Sequence, residues 1–197
     1  MFRKWAYKIF FIIFWNIFIF GCISSAGPNN IVHENPAEDE NYDKNYERST
    51  SNAELVKNFE THFIIYATRL NTSFRSSLAK RYLKLFNEPQ PILAELSAKS
   101  GFFVSVYTRN RDKINLADQH IWNIQLSKGG EKVNPTTIRY LKDKSRWQPF
   151  FKDISPWSRE YLVIFDIDTG TKDEKLAVDG ASQLLFSNSD GRAIFNW

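Results

Sequence analysis

The sequence predicts an α+β protein: an N-terminal helical block, about residues 53–98, packed on a C-terminal antiparallel β-sandwich, about residues 101–197. Before Gly101, large apolar residues recur at steps of three and four, the spacing of one helix face. After Gly101 they alternate with period two, and turn-forming residues cut the chain into short segments. Helices in one block followed by strands in another favour α+β over an alternating arrangement.

The first residues have a different grammar. Arg3, Lys4 and Lys8 precede a run from Ile9 to Phe20 that is apolar except for Asn16. Gly21 and Cys22 close it, and Cys22 is the only cysteine in the chain. Charge, apolar stretch and small residue in that order form a secretory signal. The run is shorter than the ~20 residues needed to cross a hydrocarbon layer. Residues 1–21 are therefore read as a signal peptide. Two other readings of the same residues are cleavage after Ala26, which gives a secreted protein, and an uncleaved anchor from Trp5 to Ala26.

Residues 22–52 are rich in Ser, Asn, Asp and Glu and carry few large apolar side chains. Such a composition offers little apolar surface against the entropy of ordering, so it is read as a tether. A single domain over residues 53–197 follows. Ser51 and Glu54 have the spacing of a capping box. Leu55, Phe59, Phe63, Tyr66 and Leu70 continue as one face of a first helix. Asn71-Thr72-Ser73 interrupts it, and Phe74, Leu78, Tyr82 and Leu85/Phe86 form the inner face of a second. Pro89 ends that helix, and Pro91 opens a short third one running to Ala98.

Strands follow at Phe102–Tyr107, Trp122–Ser127 and Tyr161–Asp168, each alternating with period two. Ser182–Phe186 and Arg192–Trp197, joined by Asn188-Ser189-Asp190-Gly191, form a closing hairpin. Short strands at this spacing suggest a sandwich.

Charge narrows the function classes. Without Arg3, Lys4 and Lys8, 23 of the 26 basic residues remain against 22 acidic ones. The mature chain is then nearly neutral, and the pI near 9.1 belongs largely to the signal. Nucleic acid is not expected as a partner, since that would call for a basic patch. With Cys22 the only cysteine, no disulfide can form within the chain, and the apolar core must hold the fold alone.

No catalytic set is legible. There is no Gly-x-Ser-x-Gly elbow, P-loop or dinucleotide fingerprint, and one cysteine excludes the usual zinc spacings. His33 lies in the tether, His62 on the first helix and His120 before a strand. Asp166, Asp168 and Asp173 are the nearest approach to a cation loop. Counted from Asp166, however, the twelfth position is Ala177 rather than the glutamate of an EF-hand. No cofactor is expected. Arg69, Arg75, Lys80, Arg81 and Lys84 are read as a solvated helix face. Trp147, Phe150, Phe151 and Trp157, among Pro149 and Pro156, form an aromatic loop that either caps the sandwich end or serves as a binding patch.

Ile19-Phe20-Gly21-Cys22 resembles the lipobox of bacterial lipoproteins, with bulky Phe20 where that family favours a small residue. The resemblance implies a cysteine carrying diacylglycerol, with acyl chains such as palmitate, that becomes the first mature residue. It implies a cell-envelope protein held to a membrane through Cys22. Ile23, which follows the cysteine, leans the reading toward the outer membrane. Residues 53–197 also resemble uncharacterised lipoproteins of spirochaetes and deltaproteobacteria. The resemblance lies in Ala67–Leu70, Phe102–Thr108, Trp122, Pro149–Phe165 and the final Gly-x-x-x-x-x-Trp, and it brings no activity with it. The favoured function is a non-catalytic module that binds a protein or glycan partner or plays a structural part. The competing one is an envelope hydrolase, metal-dependent, with an active site the sequence does not reveal.

Overall fold

A computed structural model describes residues 40–96, 99–128, 130–166 and 180–197. The expected signal, Cys22, the first part of the expected tether, Asp168 and Asp173 lie outside these residues. The described chain is a mixed α+β structure made mostly of sheet, as the sequence implies in outline.

Helix α1 spans Glu40–Ser49 and leads directly into β1, Thr50–Lys57, and β2, Glu60–Arg69. Helices α2, Thr72–Phe86, and α3, Pro91–Glu95, precede the central strand β3, Ser100–Thr108. A 3-10 turn at Arg111–Ile114 is followed by β4, Asn123–Lys128, β5, Glu131–Val133, and β6, Thr137–Tyr140. Helix α4, Lys144–Trp147, then precedes β7, Arg159–Phe165, and the hairpin β8, Ser182–Ser187, with β9, Arg192–Asn196.

Every strand pairing is antiparallel. One sheet has the order β1-β2-β3-β7-β6, the other β5-β4-β8-β9. Alternate residues of the first sheet, among them Phe63, Ile65, Phe102 and Val104, meet Ile124, Leu126, Phe186 and Phe195 of the second in one core. The opposite face of the five-stranded sheet offers Phe103, Leu162 and Ile164 to a second core with Phe74, Leu78 and Tyr82 of α2. The architecture is thus a sandwich with helices laid over the outside of one sheet. Strands β3 and β7 are covered on both faces, so consecutive residues such as Phe102 and Phe103 are both buried.

Several expectations are corrected. The first helix, expected from residue 53, is the β1–β2 hairpin. Leu55, Phe59 and Phe63 have helical spacing, but Phe63, Ile65 and Ala67 alternate into the sandwich core. Thr61, Ile64, Ile65 and Thr68 are β-branched, which favours a pleated strand. Ser51 pairs with Ala67 in the ladder instead of capping a helix, and Glu54 accepts a hydrogen bond from the Thr61 hydroxyl at 2.9 Å. Asn58 and Phe59 turn the hairpin with φ of 54° and 62°. The Phe59 ring, expected in a core, is fully exposed.

The expected tether does not run through residue 52, because Glu40–Ser49 forms the packed helix α1. Tyr42 and Tyr46, one turn apart on α1, are buried and lie against Phe74. The Tyr42 hydroxyl donates to the Phe150 carbonyl and the Tyr46 hydroxyl to Asp153, each at 2.6 Å. Average polarity hid this stripe, because two aromatic residues at the right spacing suffice to seat a short helix.

Helix α2 follows the prediction closely. Asn71 caps it by accepting from the Phe74 amide at 2.8 Å, and Asn87, at φ 54°, ends it before Pro89. Leu85 and Phe86, expected inside, are exposed. Helix α3 ends at Glu95, short of Ala98. Leu96 then lies so close to Gly101 that an added Cβ would come within 2.4 Å of its Cδ2. The expected basic face is not a uniform solvated surface. The Arg75 guanidinium donates to the carbonyls of Leu70, Leu96 and Lys99 at 2.5–2.6 Å. That of Arg81 lies 4.5 Å from the Tyr42 ring centroid, and Arg69 is buried, bonded to the Gly180 carbonyl.

Trp197 ties the last strand to the first. Its backbone exchanges two 3.0 Å hydrogen bonds with Ser182, and its indole N–H donates to the Ser49 carbonyl at 3.1 Å. Its ring packs on Phe102 and Phe195. Trp197→Ala is expected to cost about 2–4 kcal/mol, read by chemical denaturation. Phe59→Gly is expected to do the reverse, adding about 0.5–1 kcal/mol, since glycine accepts positive φ without strain. Equal or lower stability of that variant in the same measurement would contradict the assignment of strain to Phe59.

Candidate functional site

Helices cover only part of the outer face of the five-stranded sheet. Its other part, from Tyr66 and Ser105 toward the strand ends at Tyr107 and Arg159, borders the loop of residues 152–158. That loop is held from below. Glu160, on β7, is buried and accepts from the Ser158 hydroxyl at 2.6 Å. Lys144, at the start of α4, lies 3.7 Å from the same carboxylate. Its ammonium donates to the carbonyls of Ser155 and Ser158 at 2.6 and 2.7 Å. A buried carboxylate needs such a partner, because its desolvation is otherwise costly. Ser155 and Ser158 close the turn by accepting from each other's amides at 2.9–3.1 Å. This scaffold turns Trp157 outward, with 65% of its surface exposed.

Two cavities meet at Trp157, Tyr107 and Ser158. The first, about 540 Å³, lies where β3 ends and β7 begins, and is lined by Arg109, Arg111, Lys144, Arg159 and Tyr140. No carboxylate lines it among the described residues. Glu60, on the adjoining strand, pairs with Arg109. This contact holds the Glu60 carboxyl below its ordinary range and raises the Arg109 guanidinium above its own. The Arg159 guanidinium lies 5.7 Å from the Tyr140 ring centroid, and Arg111 is exposed on the 3-10 turn. The second cavity, about 400 Å³, is lined by Ile64, Tyr66, Ser105, Ile154 and Asp153, with Lys152 at its edge. Lys152 is paired with Asp43 at 3.1 Å. The Tyr46 phenol, bonded to Asp153, is raised above the usual range for tyrosine by burial first and by that carboxylate second.

The aromatic loop is therefore mostly core. Trp147, Phe150 and Phe151 are buried beneath α2, and Phe151 stacks on Phe103 with centroids 3.5 Å apart and planes 4° from parallel. They do not form an exposed patch, because α4 and the turn after it fold these rings inward. The amides of Phe150 and Phe151 bond back to the Trp147 carbonyl at 2.9 and 3.1 Å. Only Trp157 of the expected four reaches solvent as a large exposed surface. Tyr107, Arg111, Tyr140 and Arg159 are site residues that the sequence reading missed.

The other candidates do not converge. Asp166 lies 3.5 Å from the Lys99 ammonium; Asp168 and Asp173 are outside the described residues. Among the described residues, no group of three or more His, Cys, Asp or Glu side chains is placed to hold a metal ion. His62 is on β2, with Nδ1 3.9 Å from an Asp190 oxygen that Lys113 also contacts at 2.8 Å. The backbone amide of His120 donates to Asp118 in the loop before β4. No helix among the described residues is long and apolar enough to cross a membrane.

The two tryptophans of the loop predict opposite behaviour. Trp157→Ala is expected to leave the unfolding free energy within about 0.5 kcal/mol. Trp147→Ala is expected to cost about 3–5 kcal/mol. Urea titration of both variants checks the pair.

Compared with protein-family models, curated proteins and solved structures, the chain matches none of them.

Proposed function

We propose that the chain is a lipid-anchored protein of the bacterial cell envelope, on the outer membrane, whose domain is a non-catalytic binding module. The groove around Trp157 is its binding face. The anchor reading rests on the signal ending in Gly21-Cys22. Two or more acyl chains on one cysteine give stable attachment, where a single chain gives only marginal binding. The observation that carries the binding reading is the gathering of Arg111 and Arg159, with Glu60-paired Arg109, beside exposed Trp157 at one end of one sheet. Cations on a concave surface attract anions, and an exposed indole adds a flat apolar contact beside them.

The two halves of the proposal have separate tests. Intact-mass analysis from the native membrane is expected to find a mature chain beginning at an acylated Cys22, with Cys22→Ser released from the membrane fraction. A chain beginning at Gly27 or retaining Met1 would overturn the anchor. For the groove, the Arg111→Ala, Arg159→Ala double variant is expected to elute from phosphocellulose at clearly lower salt than the unaltered chain. Its stability should stay within about 1 kcal/mol, since both side chains are exposed. Unchanged elution would remove the groove as an anion site.

A further inference from the structure

Trp157 divides the groove into unlike halves, and the division constrains the ligand. On one side stand Arg111 and Arg159, with Arg109 beside them paired with Glu60. On the other stand Tyr66, Ser105 and the carboxylate of Asp153, while the neighbouring Lys152 is paired with Asp43. Cavities of about 540 and 400 Å³ fall in the range of ordinary small-ligand sites, roughly 300–1,000 Å³.

We infer that the groove takes an acidic saccharide, with an anionic sugar beside the arginines, a neutral sugar in the cavity of Asp153, and Trp157 between them. This deepens the binding reading above and rests on it. A phosphate chain or nucleic-acid strand laid across both cavities would set its negative charge against Asp153, which is unfavourable at short range. A saccharide that places its anionic group on one ring and only hydroxyls on the next avoids that repulsion. Sugar hydroxyls donate hydrogen bonds, and the Asp153 carboxylate, one oxygen of which accepts from Tyr46, offers its other oxygen as an acceptor. One face of a sugar ring presents mainly C–H groups. The exposed face of Trp157 and the half-buried Tyr107 offer it an apolar surface with polar groups close by.

The test is isothermal titration of the full chain, extracted in non-ionic detergent, with four probes. These are hyaluronan hexasaccharide, in which acidic and neutral sugars alternate; chitohexaose, which is neutral; inorganic polyphosphate; and ATP. The hexasaccharide is expected to bind at least tenfold more tightly than the other three. Trp157→Ala and, separately, Arg111→Ala are each expected to weaken it about tenfold. Both residues are exposed, so loss of folding does not complicate the result. Equal binding of chitohexaose, or no effect of Trp157→Ala, would overturn the inference. Tighter binding of polyphosphate or ATP would overturn the saccharide while leaving the anion-binding module standing. Failure of every anionic probe would overturn both.

Discussion

Two neighbouring phenylalanines on β3 hold the molecule's layers together. Phe102 points into the sandwich, where it meets Phe165 and Trp197. Phe103 points the other way and stacks on Phe151 beneath the helices. Because successive side chains of a strand face opposite sides, one dipeptide takes part in both cores. The strand that carries them lies in the middle of the five-stranded sheet, so a shift of its register by one residue would exchange the two contact sets.

The helix layer is built on the second of these cores, and its incomplete coverage produces the groove. The rings of Tyr42, Tyr46, Phe74, Phe150 and Phe151 fill the covered half. Beyond Phe103 the same face carries Ser105, buried with its hydroxyl donating to the Asp153 carbonyl of the loop, and half-buried Tyr107. Buried Glu160 and its half-buried partner Lys144 stand at the boundary between core and groove. They fix the turn that carries Trp157, so an electrostatic requirement of the interior sets the position of the most exposed indole in the loop.

Much of the strand pattern was legible, because alternation and turn chemistry agreed. The segments around β3, β4, β7, β8 and β9 are examples, and Asn188 closes the last hairpin by accepting from the amides of Asp190 and Gly191. The β1–β2 hairpin was misread because Leu55, Phe59 and Phe63 mimic a helical stripe, and only the fold shows that Phe59 belongs to a turn. Pro149 and Pro156 mark irregular backbone after Trp147, which itself ends α4, but irregular backbone that satisfies its own amides can lie buried. The site itself was legible only at Trp157. Tyr107, Arg111, Tyr140 and Arg159 are scattered over some fifty positions, and no local spacing links them before the strands pair.

The seating of α1 decides how the domain meets mechanical load. Any pull arriving through the chain before Glu40 reaches α1 before it reaches a strand. What resists is the seating of α1: phenolic hydrogen bonds to Phe150 and Asp153, ring contacts with Phe74 and Phe151, the Asn45–Ser77 hydrogen bond and the Asp43–Lys152 ion pair. Behind it, the Trp197 indole clasps Ser49 at the junction with β1, an edge strand. A pull through α1 is therefore met by the side-chain contacts of one short helix before it loads the β1–β2 ladder.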